Sequence, residues 1–252
     1  CFTSSGICLA GKLREGNVHS AHGALEMLSP VVERYRKHFK QFWLRGDAAF
    51  AKPELYAYCE AKGMTYFIRL KSNNTLKNLI EPYLERPTGS LLKSGIEEKF
   101  IDLSYQAGSW EIPRRVVCRI AWHENELFPR IGFVVTNSRI LVENVIKVYN
   151  RRAEVENRIK EGKNTLRWDK TSCHRFESNE ARLKMGILAY NLLHLFQKFY
   201  IRGEGVRRSV EWMIRRIIKV GAKFSYHARR WQVQVSSAFP LRHHYLAVID
   251  SG

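Results

Sequence analysis

The chain has 252 residues, 45% of them apolar and 12% aromatic, enough for one large domain or two small ones, which excludes general disorder. Its net charge of +18 points to a polyanionic partner, most often nucleic acid and less often an anionic membrane or a heparin-like chain. No apolar run of about 18 residues exists to span a membrane, no signal peptide is visible, and five scattered cysteines without a CxxC pair argue for reduced thiols rather than a disulfide frame or a zinc site.

Residues 7–13 (ICLAGKL) read as a short strand and residues 20–39 as a helix, with Ser20 as N-cap and Pro30 as a kink or break. Residues 41–46 (QFWLRG) read as a buried strand ending at Asp47. Pro53 opens a helix that Gly63 closes, and residues 64–70 (MTYFIRL) form the next strand. The order β-α-β-α-β with short connections implies parallel neighbours with right-handed crossovers. Residues 71–138 differ. The turn signals SNN, RPTGS, QAGS and TNS separate segments rich in β-branched and aromatic residues, the pattern of an antiparallel insertion.

Residues 140–162 read as one helix. Asn179 is expected to cap a long amphipathic helix ending near Tyr200, and another helix is expected from about Val206 to Val220. Residues 223–236 alternate enough for a strand. The charge is uneven: residues 141–252 carry 22 Lys+Arg against 10 Asp+Glu.

Two acids carry the chemistry. Asp47 sits at the carboxyl end of a strand, where open α/β sheets bind ligands, and a carboxylate there suits a hard cation; the plainer alternative is a turn or helix cap. The stretch YNRRAEVENRIKEGK places Tyr149, Arg152, Glu156 and Lys163 at intervals of three, four and seven. At roughly 100° per residue, a continuous helix would hold them on one stripe roughly 60° wide. One acid among two cations and a phenol suggests metal and phosphate chemistry, against the alternative of a helix-surface ion pair.

This spacing resembles the signature of DDE-type transposases of bacterial insertion sequences. RGDAAF around Asp47, LREGNVHSAHG (13–23), YFIRLKSN (66–73) and DKTSCHRFESNEARLKMGILAYNLL (169–193) resemble the same group. The resemblance implies an α/β fold: a ribonuclease-H-like core, begun by residues 1–70, interrupted by a β-rich insertion over 71–138 and resumed over 139–200 with the glutamate helix. A mainly helical, basic C-terminal region follows over 201–252. It also implies Asp47 and Glu156 as catalytic and metal-binding residues, Mg²⁺ or Mn²⁺ as cofactor, and two-metal phosphoryl transfer. Tyr149, Arg152, Lys163 and Arg45 would contact DNA, with Arg45 pairing Asp47 as its alternative. The implied partners are the transposon's terminal inverted repeats and target DNA, engaged by a homodimer in a bacterial, nucleoid-associated cytoplasmic setting. No role falls to His174 beyond core packing or capping.

The group uses three acids, the first on the first strand of its core. Before Asp47 the acids are Glu15, Glu26 and Glu33, none at an expected strand end. The first aspartate is therefore expected upstream of Cys1, and the chain is expected to be an N-terminally truncated fragment, inactive alone. The alternative is a non-catalytic DNA-binding remnant. Trp168 and Trp231 are candidates for stacking on flipped bases, while Trp43 is expected in the core.

Overall fold

A computed structural model describes residues 1–85, 96–124, 126–200 and 208–249. The RPTGS turn and the start of the helix expected at Val206 lie outside these residues. The chain divides into two compact units, residues 14–154 and residues 1–13 with 155–252.

The first unit is built on a five-stranded mixed sheet. Its strands are β1 (Trp43–Gly46), β2 (Thr65–Leu70), β3 (Ile96–Tyr105), β4 (Arg114–His123) and β5 (Arg130–Thr136), in the order β1-β2-β5-β4-β3. Helix α2 (Pro53–Ala61) links β1 to β2, which run parallel with Trp43 opposite Thr65 and Gly46 opposite Ile68. Pro53 opens α2 as expected, and Gly63 follows its end with φ +63°, a left-handed conformation that glycine adopts without steric cost. The strands of 71–138 are antiparallel, also as expected. They extend the same sheet, because β5 pairs directly with β2.

Period-two alternation sorts the apolar residues onto two covered faces. Tyr66, Ile68, Val116, Cys118, Ile120, Phe133 and Val135 face a core shared with α1 (Ala24–Tyr35), α2 and α3 (Asn74–Ile80). Phe67, Val117 and Val134 face α4 (Val142–Asn150) through Val145 and Ile146. The sheet therefore lies between helical layers, and β4 is buried on both faces.

The start of α4 is fixed by polar contacts between distant segments. The Arg115 guanidinium donates to the carbonyls of Ser138 (2.6 Å) and Ile140 (2.8 Å) while also pairing with Asp102. Asn137 continues the sheet's hydrogen bonding with its side chain, accepting from Tyr66 N–H and donating to Met64 C=O.

The second unit is mainly helical. It holds α5 (Ala153–Leu166, from Val155 onward), α6 (Phe176–Tyr200), α7 (Val210–Met213) with the wider turn Ile214–Ile218, and α8 (Arg242–Ile249). A two-stranded ribbon, β6 (Ala222–His227) and β7 (Arg230–Val235), lies between the last two helices in sequence. Buried Tyr190 centres the core, with Cys8, Val210, Trp168 and Ile187 around it.

Several expectations are corrected. Residues 7–13 form no strand beyond a single bridge between Phe2 and Cys8. The Asn191 side chain takes both Cys8 backbone groups, each at 2.8 Å, so a helix amide replaces a strand partner. Helix α1 begins at Ala24 after Gly23, not at Ser20, and continues through Pro30. Asn179 lies inside α6 rather than at its cap, and its side chain reaches back to both backbone groups of Cys173. Ser209 caps α7 by accepting from Trp212 N–H. Residues 223–236 are not one strand: the chain reverses at Ala228 and Arg229. Trp43 is 53% exposed rather than buried, because β1 is an edge strand paired with β2 alone among the described strands.

Candidate active site

Asp47 follows the last residue of β1 and caps the 3₁₀ turn Ala48–Phe50. Its Oδ1 accepts from Ala49 N–H at 2.9 Å. Its Oδ2 accepts from Arg152 Nη2 at 3.0 Å. The carboxylate is thus held from both sides, yet 41% of its side chain remains open to solvent. The capping reading of Asp47 therefore holds, and the same carboxylate also meets an arginine.

Arg45 lies two residues before Asp47 but does not supply its described ion pair. Its Nη1 points toward the Val148 carbonyl, 3.4 Å away. Partial burial draws the Arg45 pKa down, Glu154 opposes that shift, and Arg151 adds to it. Arg45, Arg151 and Arg152 therefore make the carboxyl end of β1 a cationic locality with Asp47 inside it.

The four-residue stripe is not on one helix. Tyr149 lies in the last turn of α4, Arg152 in the break after it, and Glu156 and Lys163 on α5. At the break, Arg152 N–H bonds the Tyr149 carbonyl at 2.9 Å, three residues back. The Val148 carbonyl, which a continuous helix would offer to that N–H, faces Arg45 instead. Tyr149 is half-buried against the Phe67–Val145 core.

Glu156 and Lys163 are exposed on α5, in the second unit. Gly162 does not end α5, which runs on to Leu166. It makes room for Trp168: a Cβ at Gly162 would fall 2.3 Å from Trp168 Cε3, and one at Gly186 would fall 2.8 Å from Trp168 Cδ1. Trp168 is therefore a packing residue, in edge contact with Tyr190 at 5.4 Å, rather than a free stacking platform. His174 is exposed, so it is not a core histidine.

A family model described as "Transposase DDE domain group 1" matches residues 1–251. The chain belongs to this family of DDE transposases. None of the curated proteins compared with it matches the chain. The transposase domain contains no described helix long and apolar enough to cross a membrane.

The acids of this transposase domain suit a hard cation in kind. Magnesium favours oxygen donors, and one or two carboxylates with water and substrate phosphates commonly hold it. Among the described residues no cluster of three or more His, Cys, Asp or Glu could hold a metal by itself. Positioning residues escape sequence reading. Arg115 and Asp102 hold the loop into α4, yet each stands on a different strand, and the link appears only once Ser104 is known to face Arg115.

Proposed function

We propose that this chain is part of the catalytic domain of a transposase that cleaves and joins DNA at the ends of an insertion sequence, with Asp47 and Glu156 as two of its metal-holding carboxylates. The observation that carries the reading is Asp47 itself: an open carboxylate at the carboxyl end of β1, held by an arginine 105 residues away that belongs to the signature stretch. The parallel pair β1 and β2 supports a ribonuclease-H-like core for this sheet.

Divalent cations at such a site supply activation of water or a 3′-hydroxyl and stabilise the leaving oxygen. The chain's own residues bind and orient. Arg152 neutralises Asp47 Oδ2 in the free protein, and releasing that oxygen turns its guanidinium to a DNA phosphate. Lys163 and Arg45 provide further phosphate contacts, and Tyr149 offers its hydroxyl to the strand. Affinity for DNA then falls steeply with salt, since backbone contacts dominate it. Two copies of the chain hold the two transposon ends.

The test is duplex binding by the full chain with Mn²⁺ and with chelator, read by fluorescence anisotropy. Mn²⁺ strengthens binding by wild type, and Asp47→Asn or Glu156→Gln removes the increment. Binding indifferent to metal overturns the catalytic reading and leaves a DNA-binding protein.

A further inference from the structure

The ribbon of β6 and β7 is exposed on both faces, with Ser225 and Val235 alone half-buried. Phe224 pairs with Val233 and Tyr226 with Trp231 in the antiparallel register, so these four share one face. They are 67%, 57%, 60% and 72% exposed respectively, and the Tyr226 and Trp231 rings lie 5.1 Å apart. Ala228 and Arg229 at the tip have φ of +51° and +61°. Such turns normally recruit Asn and Gly, whereas here an arginine stands at the apex in a conformation that L residues seldom adopt. An isolated two-stranded ribbon is marginally stable in water, and an aromatic face this open marks an interaction surface.

The charge around the ribbon selects the occupant. Residues 212–249 contain no Asp or Glu; Arg215 pairs with Glu211, which leaves Arg216, Lys219, Lys223, Arg229, Arg230 and Arg242 as an excess of positive charge. A second copy would bring the same uncompensated charge to the contact, and like charges oppose that association. A polyanion with flat apolar rings answers both features. We infer that the β6–β7 ribbon binds unpaired DNA, with Tyr226, Trp231 and Phe224 stacking on bases and Arg229 at the tip meeting a phosphate. Ring stacking accepts any base and belongs to single strands rather than paired duplex. The inference rests on the reading that this domain works on DNA strands, but it uses neither Asp47 nor Glu156.

The experiment compares a labelled oligothymidylate of about 12 nucleotides with a duplex of the same length, on the full chain, by fluorescence anisotropy. Trp231→Ala and Tyr226→Ala each weaken oligothymidylate binding by roughly five- to 150-fold, the range of one lost stacked base, and change duplex binding less than about twofold. Trp231→Phe retains most of the single-strand affinity, and circular dichroism confirms that the variants fold. Chelator is present throughout these titrations, so they read the ribbon without metal, and failure of the metal site and failure of the ribbon are told apart. Wild-type oligothymidylate affinity in Trp231→Ala overturns the inference. So does an equal loss on single strand and duplex, or sedimentation showing that Trp231 mediates self-association instead.

Discussion

Arg152 donates to Asp47 across 3.0 Å although 105 positions separate them in the chain. The contact ties the break after α4 to the carboxyl end of β1, within one unit of the fold. Both side chains are partly open, at 24% and 41% exposure, so water screens the pair and its worth in stability is at most about 1 kcal/mol. Its importance lies in holding a cation beside an acid.

Arg152→Ala should therefore shift the urea midpoint little, by no more than about 1 kcal/mol in unfolding free energy. Its effect should appear in DNA binding: weaker duplex affinity, with the slope of log affinity against log salt reduced by about one. A large loss of stability with an unchanged salt slope would make Arg152 a structural residue only.

Glu60 and Arg114 form a bidentate ion pair in the first unit. Arg114 Nε and Nη2 donate to the two Glu60 oxygens at 2.8 and 2.9 Å, and Tyr66 OH adds a third bond at 2.8 Å. Arg114 is nearly buried, with its guanidinium over the Tyr56 and Trp110 rings. Glu60→Gln leaves that guanidinium without its counter-charge and should cost about 3 kcal/mol at neutral pH, measured by urea unfolding.

The same pair predicts acid sensitivity. Hydrogen bonds from Arg114 hold the Glu60 pKa below its ordinary value, against the opposing pull of burial. Its contribution is therefore present above the unfolded-state pKa and is lost as pH falls through the depressed folded value. Wild type should lose stability across that acid window, while Glu60→Gln, having no proton to gain there, should show a shallower decline. Parallel pH profiles would contradict the assignment.

Gly162→Ala should destabilise by about 1–3 kcal/mol, because its methyl would overlap the Trp168 ring. Gly108→Ala provides the control, since a Cβ there meets nothing within 4 Å. Differential scanning calorimetry should show a lowered midpoint for the first and little change for the second.

Local chemistry was legible in the sequence wherever it acts over a few residues. Pro53 and Gly63 bracket α2, and the β-branched and aromatic content of RRVVCRIAWH marks β4. Asp47 was readable as a strand-end acid for the same reason. What escaped was decided by partners far away in the chain. Asn191 claims the backbone of Cys8 from 183 residues on, so an apolar segment that reads as a strand forms none. Arg45 faces the Val148 carbonyl across 103 residues, at the point where one periodic helix becomes two. Hydrophobic periodicity carries no signal for a side chain that competes for a backbone group. The Arg152–Asp47 contact was hidden similarly, since nothing local distinguishes Arg152 from Arg151 as the partner.

The acids before Asp47 bear on activity. Glu15 lies in an irregular segment, and Glu26 and Glu33 lie on α1, so none stands at a strand end. Residues 1–252 alone should bind DNA but fail to nick a labelled insertion-sequence end in Mg²⁺. Nicking that Asp47→Asn abolishes would show that the chain holds a complete set of acids.

Manganese binding to the full chain, followed by electron paramagnetic resonance, tests the pairing of Asp47 with Glu156 most directly. Wild type should take up Mn²⁺ at a site that either Asp47→Asn or Glu156→Gln abolishes, and the double variant should lose no more than each single one, as expected of residues acting as one unit. Wild-type Mn²⁺ uptake in both single variants would contradict the shared site.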